Sequence, residues 1–231
     1  MALGELIWTG RAWPAAEIVG RTGDDFTFKT SGKGRPVDLV GPAAWWRNFS
    51  ELNLDDPDAV IGFVRRHGDP FGQLSPTTQG DTAGWAYVLA LLKLAASCWT
   101  RNRDGTGTAL ETALAKVAQG RAVPSLCTVW DNGYVIDALL ASPLFVASVA
   151  FVPHVGEVGE GVTARRGVTM RIIPENLAAY MMTSAILHLE NHVSMAPCEQ
   201  CGDWFVERRR GTQFCSASCR AAHSTSKKEK K

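Results

Sequence analysis

The sequence predicts an α+β protein: an N-terminal β-rich segment, a helical body, and a small C-terminal module organised by four cysteines. Three observations carry that expectation. The first forty residues alternate short β-branched and aromatic runs with glycine-bearing breaks. From residue 56 onward, apolar residues recur at helical spacing. After Ala196 the composition turns polar and basic, and four of the six cysteines crowd together there.

Each element has a local reason. Glu5-Leu-Ile-Trp8, Asp24-Asp-Phe-Thr-Phe-Lys-Thr30 and Arg35-Pro-Val-Asp-Leu-Val40 read as strands of a small antiparallel sheet. Breaks at Arg21-Thr-Gly23 and Ser31-Gly-Lys-Gly34 separate them. After the pair Trp45-Trp46 comes a helix start. Asp56 is placed to cap it, Pro57 takes the first helical position, and Asp58 sits at the positive end of the dipole. The helix continues from Ala59 to His67, and Gly68 closes it. A longer helix is expected from Asp81 to Trp99, with Trp85, Val88, Leu89, Leu92, Ala96 and Trp99 on one face.

Asn102 to Gly107 reads as a loop, and Thr108 to Gln119 as a further helix. The apolar run Leu126 to Leu140 fits strand, helix or both. Phe145 to Val152 reads as a buried strand, Gly156 to Gly161 as a turn, and Val168 to Ile173 as a strand feeding a helix. That helix is expected to start at Pro174 and to carry Leu177, Tyr180, Met181, Ile186 and Leu189 toward His192. No internal repeat is present.

The chain has 231 residues, of which 45% are hydrophobic and 20% charged. That composition excludes wholesale disorder, collagen and coiled coil. The net charge of +1 excludes a polyanion binder by bulk charge, but the charge is unevenly placed. Residues 198–231 carry a net +4 and residues 1–197 a net −3, so a mildly acidic body bears a basic end. Met1 to Gly10 offers no basic region and no sustained apolar run, so no secretory signal is expected. The longest uncharged stretch, Ala138 to Gly156, is broken by Pro143, Pro153 and His154, whereas a membrane-spanning helix wants about 20 mostly apolar residues. The expected compartment is the cytoplasm, where clustered cysteines favour metal over disulfides. Cys98 and Cys127 stand apart in apolar surroundings.

The chemistry lies in Cys198-x2-Cys201, thirteen residues, then Cys215-x3-Cys219. Zinc prefers four tetrahedral ligands, and four thiolates fill its sphere with no position left for water. The first pair sits on a tight turn relieved by Gly202. Trp204-Phe-Val206 and Thr212-Gln-Phe214 are placed to form a hairpin around Arg208-Arg-Arg-Gly211. The second pair is spaced i, i+4, so a helix beginning near Cys215 puts both sulfurs on one face. Knuckle, hairpin and helix make a treble clef holding one structural Zn2+. So short and polar a segment cannot build its own apolar core, so metal binding supplies its folding energy.

This segment resembles the C-terminal CGNR-type zinc fingers of bacterial transcriptional regulators. The matching pieces are Cys198-x2-Cys201-Gly202, Trp204-Phe205, the arginine-rich hairpin, and Phe214-Cys215-Ser216 leading to Cys219. The resemblance spans Ala196 to His223. It departs after the last cysteine, where Arg220-Ala-Ala stands in place of Gly-Asn-Arg. The resemblance implies zinc binding and, less directly, DNA binding and transcription regulation.

Arg208, Arg209, Arg210, Arg220, Lys227 and Lys228 are the candidate nucleic-acid contacts, acting on phosphates with a steep salt dependence. Four thiolates on Zn2+ make a core of charge −2, which reduces the local surplus to about +2. The alternative is a structural finger that docks on the body or on a protein partner through Trp204 and Phe205, beside a ligand-binding or enzymatic body. A closed four-thiolate sphere argues against catalytic zinc. No histidine general base lies between Cys198 and Cys219, and His223 reads as a surface residue able to donate to a cysteine sulfur. His188 and His192 share a helix face, but Glu190 is one position off the zincin order. No Walker loop or dinucleotide fingerprint occurs; Gly105, Gly107 and the Gly156 to Gly161 glycines read as turns. Asp55, Asp56 and Asp58 could bind a cation, but helix capping accounts for at least one of them; Trp45-Trp46 with Phe49 could line a ligand pocket, and core packing is the favoured reading. The expected organisation is a body over 1–195, as one unit or two, a finger over 196–224, and a disordered basic tail over 225–231. The body carries no recognisable catalytic motif, and no membrane partner is expected.

Overall fold

The computed structural model describes residues 5–100, 132–158 and 165–229. The expected loop at 102–107, the helix at 108–119, Cys127 and the start of the 126–140 run lie outside these residues, as does the end of the 156–161 turn.

The fold is α+β with a β-rich N-terminus. Strands β1 (Ile7–Ala12) and β4 (Arg35–Val40) pair antiparallel, with Trp8 opposite Leu39. Between them, β2 (Ala16–Thr22) and β3 (Asp25–Thr30) form a hairpin whose turn uses Gly23 at φ 62°, a conformation natural to glycine. A third strand, β5 (Gly80–Asp81), adds to β3. The single sheet expected at the N-terminus is therefore two small ones.

The short helix α1 (Trp45–Ser50) follows, then α2 (Pro57–His67). The Asp56 side chain accepts the Asp58 N–H at 2.9 Å, Pro57 opens α2, and Gly68 closes it at φ 111°, as its sequence requires. Helix α3 (Trp85–Thr100) begins four residues later than expected. Asp81 is spent on β5, and the Thr82 hydroxyl and backbone tie the chain to Asp25 and Phe26.

Helix α4 (Asn132–Leu140) resolves the described part of the ambiguous apolar run as helix. The segment expected as one buried strand from Phe145 splits. Pro143 starts a helix, α5 (Pro143–Ser148), and the strand β6 begins only at Val149 and runs to Val158. It pairs with β7 (Arg165–Pro174), with Phe151 opposite Ile172. Phe151 is 54% exposed, so this strand is not a core strand. Pro174 ends β7, and α6 (Leu177–Glu190) starts instead behind Asn176, whose side chain accepts the Ala179 N–H at 2.9 Å.

Helix α6 is the axis of the molecule. All thirteen residues from Leu177 to Leu189 are buried, which explains why Leu-Ala-Ala-Tyr-Met-Met is apolar on every face. Its polar side chains are satisfied locally. Tyr180 donates to the Gly41 carbonyl at 2.9 Å, Thr183 to Ala179 at 2.8 Å, and Ser184 accepts the Ala43 N–H at 3.4 Å. Trp46, Phe49, Phe63 and Trp85 complete the core around it, so the Trp45-Trp46 run is core, as expected. None of the helices among the described residues is long and apolar enough to cross a membrane.

At the C-terminus, β8 (Met195–Pro197), β9 (Trp204–Val206) and α7 (Ala217–Glu229) frame the cysteines. Helix α7 runs five residues into the segment expected to be a disordered tail.

Candidate metal centre

Cys198, Cys201, Cys215 and Cys219 converge, with their sulfurs all within 4.8 Å of one another. Cys201 Sγ lies 3.7 Å from Cys215 Sγ, which lies 3.5 Å from Cys219 Sγ. A tetrahedron with metal–sulfur bonds of about 2.3 Å has edges of about 3.8 Å. The four thiols can hold one metal ion, and among the described residues they form the only such group of three or more candidate ligands.

Local structure explains the convergence. β8 and β9 are joined by the Cys198–Gly202 knuckle itself. Cys198 N–H bonds the Asp203 carbonyl at 2.9 Å, Gly202 N–H bonds the Cys198 carbonyl at 2.9 Å, and Gly202 takes φ 78°. The expected pairing of 204–206 with 212–214 is therefore replaced. Trp204 pairs with Pro197, because the knuckle already supplies the tightest turn available to that strand. The 212–214 segment comes in differently, through the Glu199 N–H to Gln213 carbonyl bond at 3.0 Å. Ser216 caps α7 by accepting the Cys219 N–H at 3.2 Å, so the helix starts just after Cys215 and carries only the last cysteine.

The thiols differ in setting. Burial would raise Cys198, but backbone donors from Cys215, Cys201 and Gln200 outweigh it and bring the thiol down to about 6. Donors that favour the thiolate also favour a metal ligand. Cys201 is pushed up by burial, with further contributions from its contacts to Cys198 and Cys215 and the nearby Asp203 charge. Cys215 is raised by burial and by its contacts to Cys219 and Cys198. A 2+ ion reverses that penalty by supplying the opposite charge four neighbouring thiolates lack.

The module is docked on the body through Trp204, one of the two expected anchors, and through partners the sequence reading did not single out. Arg66 Nη1 meets Asp203 Oδ1 at 2.8 Å. The Asn48 side chain serves as a strand edge for β9, accepting the Trp204 N–H at 2.6 Å and donating to the Trp204 carbonyl at 3.4 Å. The Arg47 guanidinium lies 4.4 Å from the Trp204 ring centroid, and Trp99 meets Trp204 edge-on at 5.6 Å. Trp204 and Val206 pack on the core. The apolar anchors are thus Trp204 and Val206, one strand period apart; Phe205, expected as an anchor, falls on the alternate side.

Arg208, Arg209, Arg210 and Arg220 are exposed, and none takes part in an ion pair among the described residues. The turn that carries the first three is held from within. Glu207 accepts the Gly211 N–H at 3.1 Å and the Ser194 hydroxyl, and Thr212 N–H and hydroxyl both bond the Arg209 carbonyl. Lys227 and Lys228 lie on α7. His223 packs on Phe214 at 5.1 Å. The weighed histidine pair does not form a metal group. His188 is buried and accepts the Trp46 indole N–H on Nδ1 at 2.9 Å, while His192 sits past the end of α6 at φ 49°.

Sequence reasoning missed Arg47, Asn48, Asp203 and Glu207. Only Glu207 carried a readable signal, an acid beside three arginines and four residues before Gly211. No family model matches the chain, and no curated protein and no solved structure matches it. The likeness to CGNR-type fingers rests on the cysteine segment alone.

Proposed function

We propose that Cys198, Cys201, Cys215 and Cys219 bind one structural Zn2+, and that the resulting finger holds Arg208, Arg209, Arg210 and Arg220, with Lys227 and Lys228 on α7, against nucleic-acid phosphates as part of a cytoplasmic regulator. The observation that carries the reading is the division of the module into two faces. Asp203, Trp204 and Val206 are spent on the body, and the arginine turn is exposed, pinned by Glu207, with its arginines in no ion pair among the described residues. Preorganised arginines lose less side-chain freedom on binding phosphate. Four thiolates favour zinc over harder cations and leave no open position for catalysis.

The test is binding of zinc-loaded protein to labelled duplex DNA, single-stranded DNA and RNA across a salt series. A variant with Arg208, Arg209 and Arg210 changed to alanine runs alongside. The expected result is affinity that falls with salt and a log–log slope smaller by about 3 in the variant. Absence of binding at low salt, with zinc retained, overturns the nucleic-acid reading. It would leave the second reading, a metal-stabilised brace on the body, which the Arg47–Trp204 and Asn48–Trp204 contacts favour.

A further inference from the structure

A cavity of about 540 Å³ opens between β1, the 31–34 loop, the 69–76 loop and the start of α6. Its walls include the indoles of Trp8 and Trp13 with Leu74 and Leu177, and its rim carries Arg11, Lys33 and Glu175. Two glycines seat the indoles. A Cβ at Gly10 would collide with the Trp8 ring, and one at Gly34, which has φ 68°, would come within 2.7 Å of the Trp13 ring. Both aromatic walls are therefore built in, at positions where any other residue would displace them.

The polar groups are unbalanced toward donors. Arg11 and Lys33 form no ion pair among the described residues, and Arg11 is held at the rim by donating to the Lys33 carbonyl at 3.0 Å. The Asp69 carboxylate keeps its charge, but its acceptor positions are filled by the backbone N–H groups of Phe71, Gln73 and Leu74 at 3.1, 2.6 and 2.9 Å. Glu175 is the acid left with acceptor positions open, beside the donors of Arg11 and Lys33. Trp8 is 5% exposed, and its Nε1 is buried with no hydrogen-bond partner. That N–H faces the core, where the indole packs on Trp45 and Tyr180, and not the cavity.

We propose that this cavity binds a small organic anion with a flat apolar body, a ring bearing a carboxylate or a phosphate. The ring lies between the indoles, and the anionic group meets Arg11 and Lys33. The volume falls within the range of small-molecule sites, about 300–1,000 Å³. The inference is independent of the metal and nucleic-acid readings.

The probes are 2-naphthoate, its neutral alcohol and ammonium counterparts, and a purine nucleoside 5′-monophosphate. Each is titrated into the full-length zinc-loaded protein by calorimetry and ligand-observed NMR. Either anion is expected to bind at least roughly tenfold tighter than the neutral and cationic probes; the tighter of the two identifies carboxylate or phosphate as the source. R11A/K33A is expected to remove that preference, and Ser75→Trp, which fills the cavity, to abolish binding. Circular dichroism on both variants confirms that they fold. Absence of binding by every probe overturns the proposal, as does preference for the ammonium probe or binding that survives Ser75→Trp. Anion binding lost in the R208A/R209A/R210A variant but kept in R11A/K33A belongs to the finger and also overturns it.

Discussion

Two buried histidines set how this protein responds to acid. His67 is wedged between Trp45 and Phe63, with ring centroids 4.5 and 4.8 Å away, and neither ring nitrogen has a partner. Burial first, then the charges of Arg66 and Arg35, hold its pKa at about 3. Burial also lowers His188, to about 4, against a smaller upward pull from the Pro42 carbonyl. Both folded values lie below the ordinary 6.5, so below that pH the unfolded chain binds more protons than the folded one. Their contribution to stability is therefore full above about pH 6.5 and is lost as pH falls, with a slope approaching about 3 kcal/mol per unit near pH 5 for the two together. His67→Phe should remove about half of that slope in urea titrations at stepped pH. An unchanged slope would show that His67 is not the buried neutral base described here. Nothing in the sequence around His67 marks it; it reads as a helix-end residue, and only the tertiary placement of Trp45 over α2 buries it.

At the scale of elements, the legible parts are those whose chemistry is local. Asp56-Pro57-Asp58 and Gly68 delimit α2 because capping and dihedral preference act within a few residues. The four cysteines converge because their spacing leaves metal-type clustering as the main way to organise so polar a segment. Pairing was less legible. β5 is two residues long and exists because β3 offers it an edge, and β9 pairs with β8 across the knuckle and not with 212–214. The docking of β9 is where a measurement bears most directly. Trp204→Ala should cost roughly 2–3 kcal/mol through lost burial and the lost guanidinium contact. A double-mutant cycle with Arg47→Met should show coupling of about 1 kcal/mol. Additive effects would mean that the ring and the guanidinium do not interact in solution.

For the whole molecule, the α+β class and the two ends of the chain, β-rich and cysteine-rich, are readable from composition and periodicity alone. The centrality of α6 is not. A mostly apolar fourteen-residue run fits many architectures, and its burial on every face depends on α1, α3, α4 and β1 arriving around it. The cavity beside its N-terminus is likewise a product of assembly, since Trp8, Trp13, Asp69 and Asn176 are distant in sequence. Metal removal is a global perturbation here. Chelation should lower the thermal midpoint by more than about 5 °C and be reversed by added zinc, as followed by circular dichroism with a chromophoric chelator. An unshifted midpoint would show that the cysteine module folds without an ion.

The way β9 lies on α1 and α3 makes the cysteine module a lid as well as a ligand set. Trp204 covers Trp99, and Arg47, 8% exposed, takes its cation–ring contacts from these two indoles. Should the four thiols hold an ion as proposed, its loss would loosen the knuckle that leads into β9, baring an indole and stranding a buried guanidinium on the flank of the core. An ion that shapes the module would thereby also keep this flank of the body sealed, and its loss would give the protein an adhesive side.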